Sequence, residues 1–411
     1  MPEHRCDRFS AMVPKTIIER VFSAAMIQRW NDHVRPVELT EIDKQAHKAM
    51  IAFLLARFEE DRGHIINWTD LIEGIIFDFF PRVVLTDIKA PFFHRLMLRR
   101  GKAINEHVIA EIAPALSAWQ PDFAVRFQDF LRCSGPPQPE RRIIQAAHYL
   151  ATQWEFKIVY HAGPFMYGIE ETRREIEHQL EDFIDLIGVQ KISLKQKSYG
   201  FVDLCGQLRF QQRWAQTPRV PRTSVLGHSL FVAMLAYFMS LELNACPQRR
   251  KNNFLSALFH DLPEVLTRDI SSPVKRCIQG LEDCIAEEEH FLVRERLLPL
   301  LPEAWHPDIE YYAEHPFDNR IRVDGVIQRV SHDEINSKYN QDSFDASDGE
   351  IIRGCDELTA YIEASKSLEH GVTPPQLVDA TRYFRELYHE KVTGKIRWDE
   401  YFSAFELPEP V

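Results

Sequence analysis

A chain of 411 residues is long enough for two domains with sizeable cores, and a hydrophobic share of 45% excludes a disordered chain. The formal net charge of -12 argues against nonspecific binding to nucleic acid or to an anionic membrane. Seven scattered Cys with no CxxC pair point to reduced thiols in a cytoplasmic protein.

The first residues, MPEHRCDRFSAMVPKTIIERVF, lack the apolar segment of a signal peptide, and no run of about 18 apolar residues suggests a membrane span. Apolar spacings of three and four predict helices in TIIERVFSAAMIQRW (16–30) and KAMIAFLLARFEE (48–60). WTDLIEGIIFDFF (68–80) predicts another, capped by Thr69. SGPPQPERR (134–142) is a loop that leads into a helix. EETRREIEHQLEDFIDLIG reads as one long charged helix stopping at Gly188, and VQKISLKQKSYG (189–200) as a linker. Beyond it, further helices are expected in FVDLCGQLRFQQRW, GHSLFVAMLAYFMSLEL, RKNNFLSALFHDLPEVL and LEDCIAEEEHFLVRERLL. A last one, IIRGCDELTAYIEASKSLEHG, has Gly371 where a C-terminal cap would sit. Alternating strand patterns are almost absent and Gly is sparse, so the fold class is all-α.

A faint internal repeat runs through this order. IQRW (27–30) matches QQRW (211–214), and apolar helices with His47 and His228 follow. GIIFDFFPRVVLTDIKAPFF (74–93) matches SALFHDLPEVLTRDISSPV (256–274). That pairs Phe77 with His260, Asp78 with Asp261 and Asp87 with Asp269. RIIQAAHYLATQWE matches EIIRGCDELTAYIE, with His148 opposite Asp356.

His228, the His260–Asp261 pair and Asp356 are imidazoles and carboxylates on separate helices, a set that can converge in a bundle core on one ion. Two imidazoles and two carboxylates suit one divalent transition metal, Mn, Co, Ni or Zn, and such an ion activates water. Asp324 and Asp333 are the rivals of Asp356; SHDE (331–334) reads as a surface turn and AEEEH (286–290) as a solvated helix face. On a continuous helix, Glu264 shares a face with the His-Asp pair and can relay protons. Arg213, Arg219, Arg222, Arg268, Lys275 and Arg276 crowd around the motif, a local basic excess that fits an anionic substrate.

RW…GHSL…FHDLPEVLTRDISSPVK…CDELTAYIEASKSLEHG resembles the HD superfamily of metal-dependent phosphohydrolases, and within it the bacterial 5′-deoxynucleotidases, over residues 205 to 372. The resemblance implies that His228, His260, Asp261 and Asp356 hold the metal and that Arg213 grips the substrate phosphate. It further implies that Trp214 packs near the sugar and disfavours a 2′-hydroxyl, and that Glu264 and Asp269 assist water activation and proton transfer. The pattern departs from the family at Gly227, where an acid is frequent, and at Arg268, where Gly is frequent. The segment between Asp261 and Asp356 is also longer than the family's.

Two HD-like bundles in tandem are therefore expected: residues 1–190 a degenerate, structural or regulatory copy, and 191–411 the catalytic one. The expected function is removal of phosphate from 5′-deoxynucleoside monophosphates. Nucleoside triphosphates, a signalling nucleotide, or nucleotide sensing with little turnover are the alternatives. The expected partner is a small nucleotide, with no stable nucleic-acid complex. Relatives of this type tend to form homodimers, and the duplication offers a contact of the same kind within one chain.

Overall fold

The structure, a computed structural model, describes residues 12–86, 88, 90–133, 138–268 and 278–407. The first half holds α1 (Lys15–Ser23), α2 (Glu41–Asp61), α3 (Trp68–Leu85), α4 (Ala90–Trp119), α5 (Pro121–Arg132), α6 (Pro139–Ala162) and α7 (Ile169–Glu181). Then come α8 (Ile187–Ser193), α9 (Lys197–Gln207), α10 (Val225–Glu242), α11 (Pro247–Phe259), α12 (Glu264–Thr267) and α13 (Leu281–Leu292). The chain closes with α14 (His306–Ala313), α15 (His332–Ser337), α16 (Gly349–Glu369), α17 (Pro375–Leu387) and α18 (Trp398–Ala404). Two small antiparallel hairpins, β1 (Arg320–Val323) with β2 (Val326–Arg329) and β3 (Val392–Thr393) with β4 (Ile396–Arg397), are the named strands among the described residues. The all-α expectation stands.

Local chemistry sets the helix ends. Ser224 caps α10 by accepting from the Gly227 N–H at 2.9 Å, and Thr40 caps α2 by accepting from Asp43 N–H. The cap of α3 is Asn67, whose side chain accepts from the N–H groups of Thr69 and Asp70, so Thr69 lies inside the helix it was expected to cap. Gly371 follows α16 with φ 81°, the left-handed conformation that lets the last turn close, as its position suggested.

The expected long charged helix ends at Glu181, and Gly188 lies inside α8. The stretch taken for a linker is helical on both sides of a short turn, with Val189, Ile192 and Ser198 buried. Polar residues on the outer faces of two short helices mimic linker composition. The segment SHDE is likewise no surface turn: Ser331 opens α15 with a capping box, and His332 is buried.

Buried residues from Val13 to Phe405 form one continuous core across both halves. At its centre, α10 packs on α2, α11 and α16, and every one of its residues is buried. By length and composition alone, with a mean hydropathy of 1.5, α10 is apolar enough to cross a membrane; here it is enclosed by other helices. Its last residue, Glu242, accepts hydrogen bonds from Val13 N–H (2.7 Å), Trp119 Nε1 (2.9 Å) and the Tyr401 hydroxyl (2.6 Å). One carboxyl thus ties the start of α1, the end of α4 and α18 to the core.

Burial raises the Glu242 carboxyl to about 7 despite these three donors. A raised folded-state value means that the neutral form is favoured, so its stabilisation is complete below the unfolded value and is lost as pH rises through about 7. The loss is about 3 kcal/mol at 1.36 kcal/mol per pH unit. Glu242→Gln should therefore gain stability over the parent between pH 5 and pH 8 in urea unfolding. A difference independent of pH would disprove this.

Candidate functional site

Three helices and one loop build the site. His228 lies one turn into α10, directly above the Ser224 cap. α11 stops at Phe259, and His260 and Asp261 follow it in tight turns closed by Leu262 N–H to Phe259 O and Glu264 N–H to Asp261 O. Asp356 comes from α16, and the segment between α9 and α10 carries Arg213 and Trp214.

The four expected ligand residues meet. His228 Nε2 is 2.8 Å from Asp356 Oδ1 and 4.0 Å from Asp261 Oδ2. His260 Nε2 is 3.2 Å from Asp261 Oδ2 and 4.0 Å from Asp356 Oδ1. Among the described residues, His228, His260 and Asp356 are the one set whose ligand atoms all lie within 4.8 Å of one another. His260 donates from Nδ1 to the Ala257 carbonyl at 2.7 Å, which in the neutral ring turns the lone pair of Nε2 to the carboxylates; burial opposes a second proton there, but Asp261 and Asp356 outweigh it and raise the imidazole above its usual value. An imidazole fixed in this tautomer, a second imidazole and two carboxylates fit a divalent metal ion.

The electrostatics favour ionised carboxylates. Burial opposes the charge of Asp261, but His260, His228 and Arg213 outweigh it and hold its carboxyl well below the usual range. Asp356 is depressed in the same way, burial being overcome by the His228 hydrogen bond and by Arg213. Burial and Arg213 lower His228, which keeps its ring neutral and able to ligate.

Arg213 faces this set, with guanidinium nitrogens 3.5 Å from Asp261 Oδ2, 3.8 Å from Asp356 Oδ1 and 3.5 Å from Glu363 Oε2. Glu363 was not picked out from the sequence. It is fully buried on α16, two turns beyond Asp356 on the same face. It accepts from Trp214 Nε1 at 2.9 Å and from the Thr223 hydroxyl, and it lies 3.9 Å from His228 Nδ1. Burial would raise its carboxyl, yet Arg219 and Arg213 bring it down to about 2. Trp214 takes a left-handed φ of 58° and packs against Ala364, Leu368 and Leu377.

Other expectations fare differently. Glu264 is buried, but it opens the separate short helix α12 beyond Pro263, so the continuous helix expected to carry it does not exist. Asp269, Lys275, Arg276 and Asp87 lie outside the described residues. Arg219 is buried behind Glu363 rather than presented to a substrate. Gly227 leaves room for α2: a Cβ there would stand 2.7 Å from Asp43 Oδ1, which accepts from the Ser224 hydroxyl at 2.5 Å. Arg268 holds φ 71° and ψ 158°, a backbone region that only Gly adopts without strain.

The first half repeats this frame. Gln28 pairs with Thr40 as Gln212 pairs with Ser224, and Trp30 has φ 55° beside the 58° of Trp214. Trp30 Nε1 donates to Glu155 at 2.9 Å, as Trp214 does to Glu363. Glu155 and Glu363 are the last residues of the matched stretches 142–155 and 350–363, so the signal for both was present in the repeat. The paired caps correct one match: four residues after Thr40 and Ser224 stand Lys44 and His228, so Lys44 rather than His47 is the counterpart of His228. His47 is turned away, its Nε2 bonded to the Val202 carbonyl at 2.8 Å.

Comparison with known proteins agrees with the geometry. Residues 205–383 match the model of an HD domain family. A 5′-deoxynucleotidase of Photobacterium profundum is 32% identical over 185 residues, 43% of this chain and 78% of the relative. One from Vibrio parahaemolyticus is 28% identical over 185 residues, 43% and 77% of the two chains, and one from Pasteurella multocida 24% over 168 residues, 40% and 72%. The chain belongs to the HD-domain family of phosphohydrolases, acts on nucleotides, and is most like the 5′-deoxynucleotidases within that family.

Proposed function

We propose that the chain removes phosphate from 5′-deoxynucleoside monophosphates in a site where His228, His260, Asp261 and Asp356 hold one divalent transition metal. The supporting observation is the convergence of His228, His260 and Asp356 within 4.8 Å, opposite Arg213. When bound, such an ion supplies a Lewis acid for phosphoryl oxygens and acidifies water.

The chain's own groups do the rest. Arg213 offers a planar pair of donors to the phosphoryl oxygens and stabilises the charge gathering there. Glu363 is a positioning residue: it holds the Trp214 indole at 2.9 Å and lies 3.5 Å from Arg213 Nε. The Trp214 ring limits the room beside the sugar and so selects against a 2′-hydroxyl. Hydrolysis adds water to phosphorus and releases the 5′ oxygen, which gains a proton. Glu264 and Asp269 are the groups proposed to handle protons, with Glu264 buried near the end of the motif.

Phosphate release from a panel of nucleoside mono- and triphosphates with Mn, Co, Ni, Zn or Mg tests the assignment. Deoxynucleoside monophosphates should be the preferred substrates, and Asp261→Ala should reduce turnover at least ~100-fold. A preference for triphosphates would overturn the reading. Metal analysis should give one ion per chain; two would contradict a single site.

Removing the Glu363 charge should loosen Arg213 and Trp214 first, with a smaller effect on His228, whose Nδ1 lies 3.9 Å away. Glu363→Gln is expected to raise KM about 10-fold with a smaller change in kcat, and to narrow the margin between deoxy- and ribonucleotides. Unchanged KM and sugar preference would show that the carboxylate is only part of the core.

A further inference from the structure

The first half keeps the Trp–Glu frame of the second but replaces the ligand set. Lys44 stands for His228, Phe77 for His260, Asp78 for Asp261 and His148 for Asp356. Lys44 Nζ lies 2.5 Å from His148 Nδ1, and Lys48 Nζ lies 2.8 Å from Asp78 Oδ2. Both lysines are fully buried, while the Asp78 side chain is 33% exposed and His148 is partly so; the cluster therefore opens to solvent on one side.

Cations dominate the cluster. Arg29 is matched by Glu41 at 2.7 Å and Glu155 at 2.9 Å, and Lys48 by Asp78. Lys44 has an imidazole for a partner, not a carboxylate. Arg82, half-buried one turn beyond Asp78 on α3, makes no ion pair among the described residues and lies over the Phe93 ring. Burial, with the charges of Arg29, Arg82 and Lys48, pushes the Lys44 amine well below its usual range, against the pull of Glu41. Among the described residues the cluster joins four basic side chains, Arg29, Lys44, Lys48 and Arg82, to three carboxylates, Glu41, Asp78 and Glu155, inside a protein whose net charge is -12. An incoming anion would favour the protonated form of Lys44 and gain a charge-assisted contact from it.

We propose that the first half binds a phosphate dianion, free or as a phosphomonoester, without a metal ion and without hydrolysing it, the Lys44 and Lys48 ammonium groups taking the place of the cation and Arg82 closing on the oxygens. Phe77 in place of the second imidazole removes the ligand pair on which metal-assisted hydrolysis depends. This site stands apart from the nucleotidase site and does not rest on the proposed reaction.

Equilibrium dialysis of the full-length, chelator-treated protein against labelled inorganic phosphate and, separately, deoxyadenosine monophosphate tests it. One saturable site per chain should survive chelation. Lys44→Met and Arg82→Gln should each weaken it at least ~10-fold, and Arg213→Gln should leave it unchanged. Arg82→Gln changes a half-exposed side chain, so it serves if Lys44→Met does not fold. Tighter binding of the nucleotide than of phosphate by tenfold or more would identify a nucleotide ligand, and equal binding would identify phosphate itself; both support the site. No saturable binding of either probe would overturn the proposal. So would a site that Arg213→Gln abolishes and that the Lys44 and Arg82 variants leave intact.

Discussion

A carboxylate with no access to water must be met by donors and cations, and Glu363 is such a group. The Trp214 indole, the Thr223 hydroxyl, and the nearby Arg213 and Arg219 guanidinium groups meet it. Satisfying that one charge fixes the loop that enters α10, the direction of Arg213 and the edge on which a sugar would rest. The neighbouring α10 adds a second requirement. With no solvent-facing side, it carries His228 into the core, where the ring must find partners among buried groups.

Much of this was legible in the chain. The ordered set His228, His260–Asp261 and Asp356 named side chains that the structure brings together. The helical class followed from apolar spacing and sparse glycine. What the sequence obscured had physical causes. The stretch 189–200 is polar because only one side of each short helix is covered, and composition does not distinguish that from a linker. Glu363 resembles any acid on a charged helix until its burial is known. Pro263 signalled a disturbance but not its form, in which tight turns replace the helix between His260 and Glu264.

The duplicated frame shows which parts of the arrangement are architectural. The bridge, the left-handed Trp and its buried Glu recur in both halves although one half lacks the imidazole pair. The recurrent parts are those that neutralise a buried charge and set the helix entry. The divergent parts, Lys44, Phe77 and His148, stand where the other half has His228, His260 and Asp356. The shared core, not these side chains, joins the halves.

The contact at Gly227 couples the entries of α2 and α10. The acid frequent at this place in the family is absent here, and the space it would need is taken by Asp43, the residue that holds the same place in the first half. The two copies share a single carboxylate between their helix entries. A side chain at Gly227 would require those of Asp43 and Ile42 to shift, and removing Asp43 would strip the Ser224 hydroxyl of its acceptor. Each helix entry therefore depends on a side chain from the other half, so neither can be altered without disturbing its neighbour.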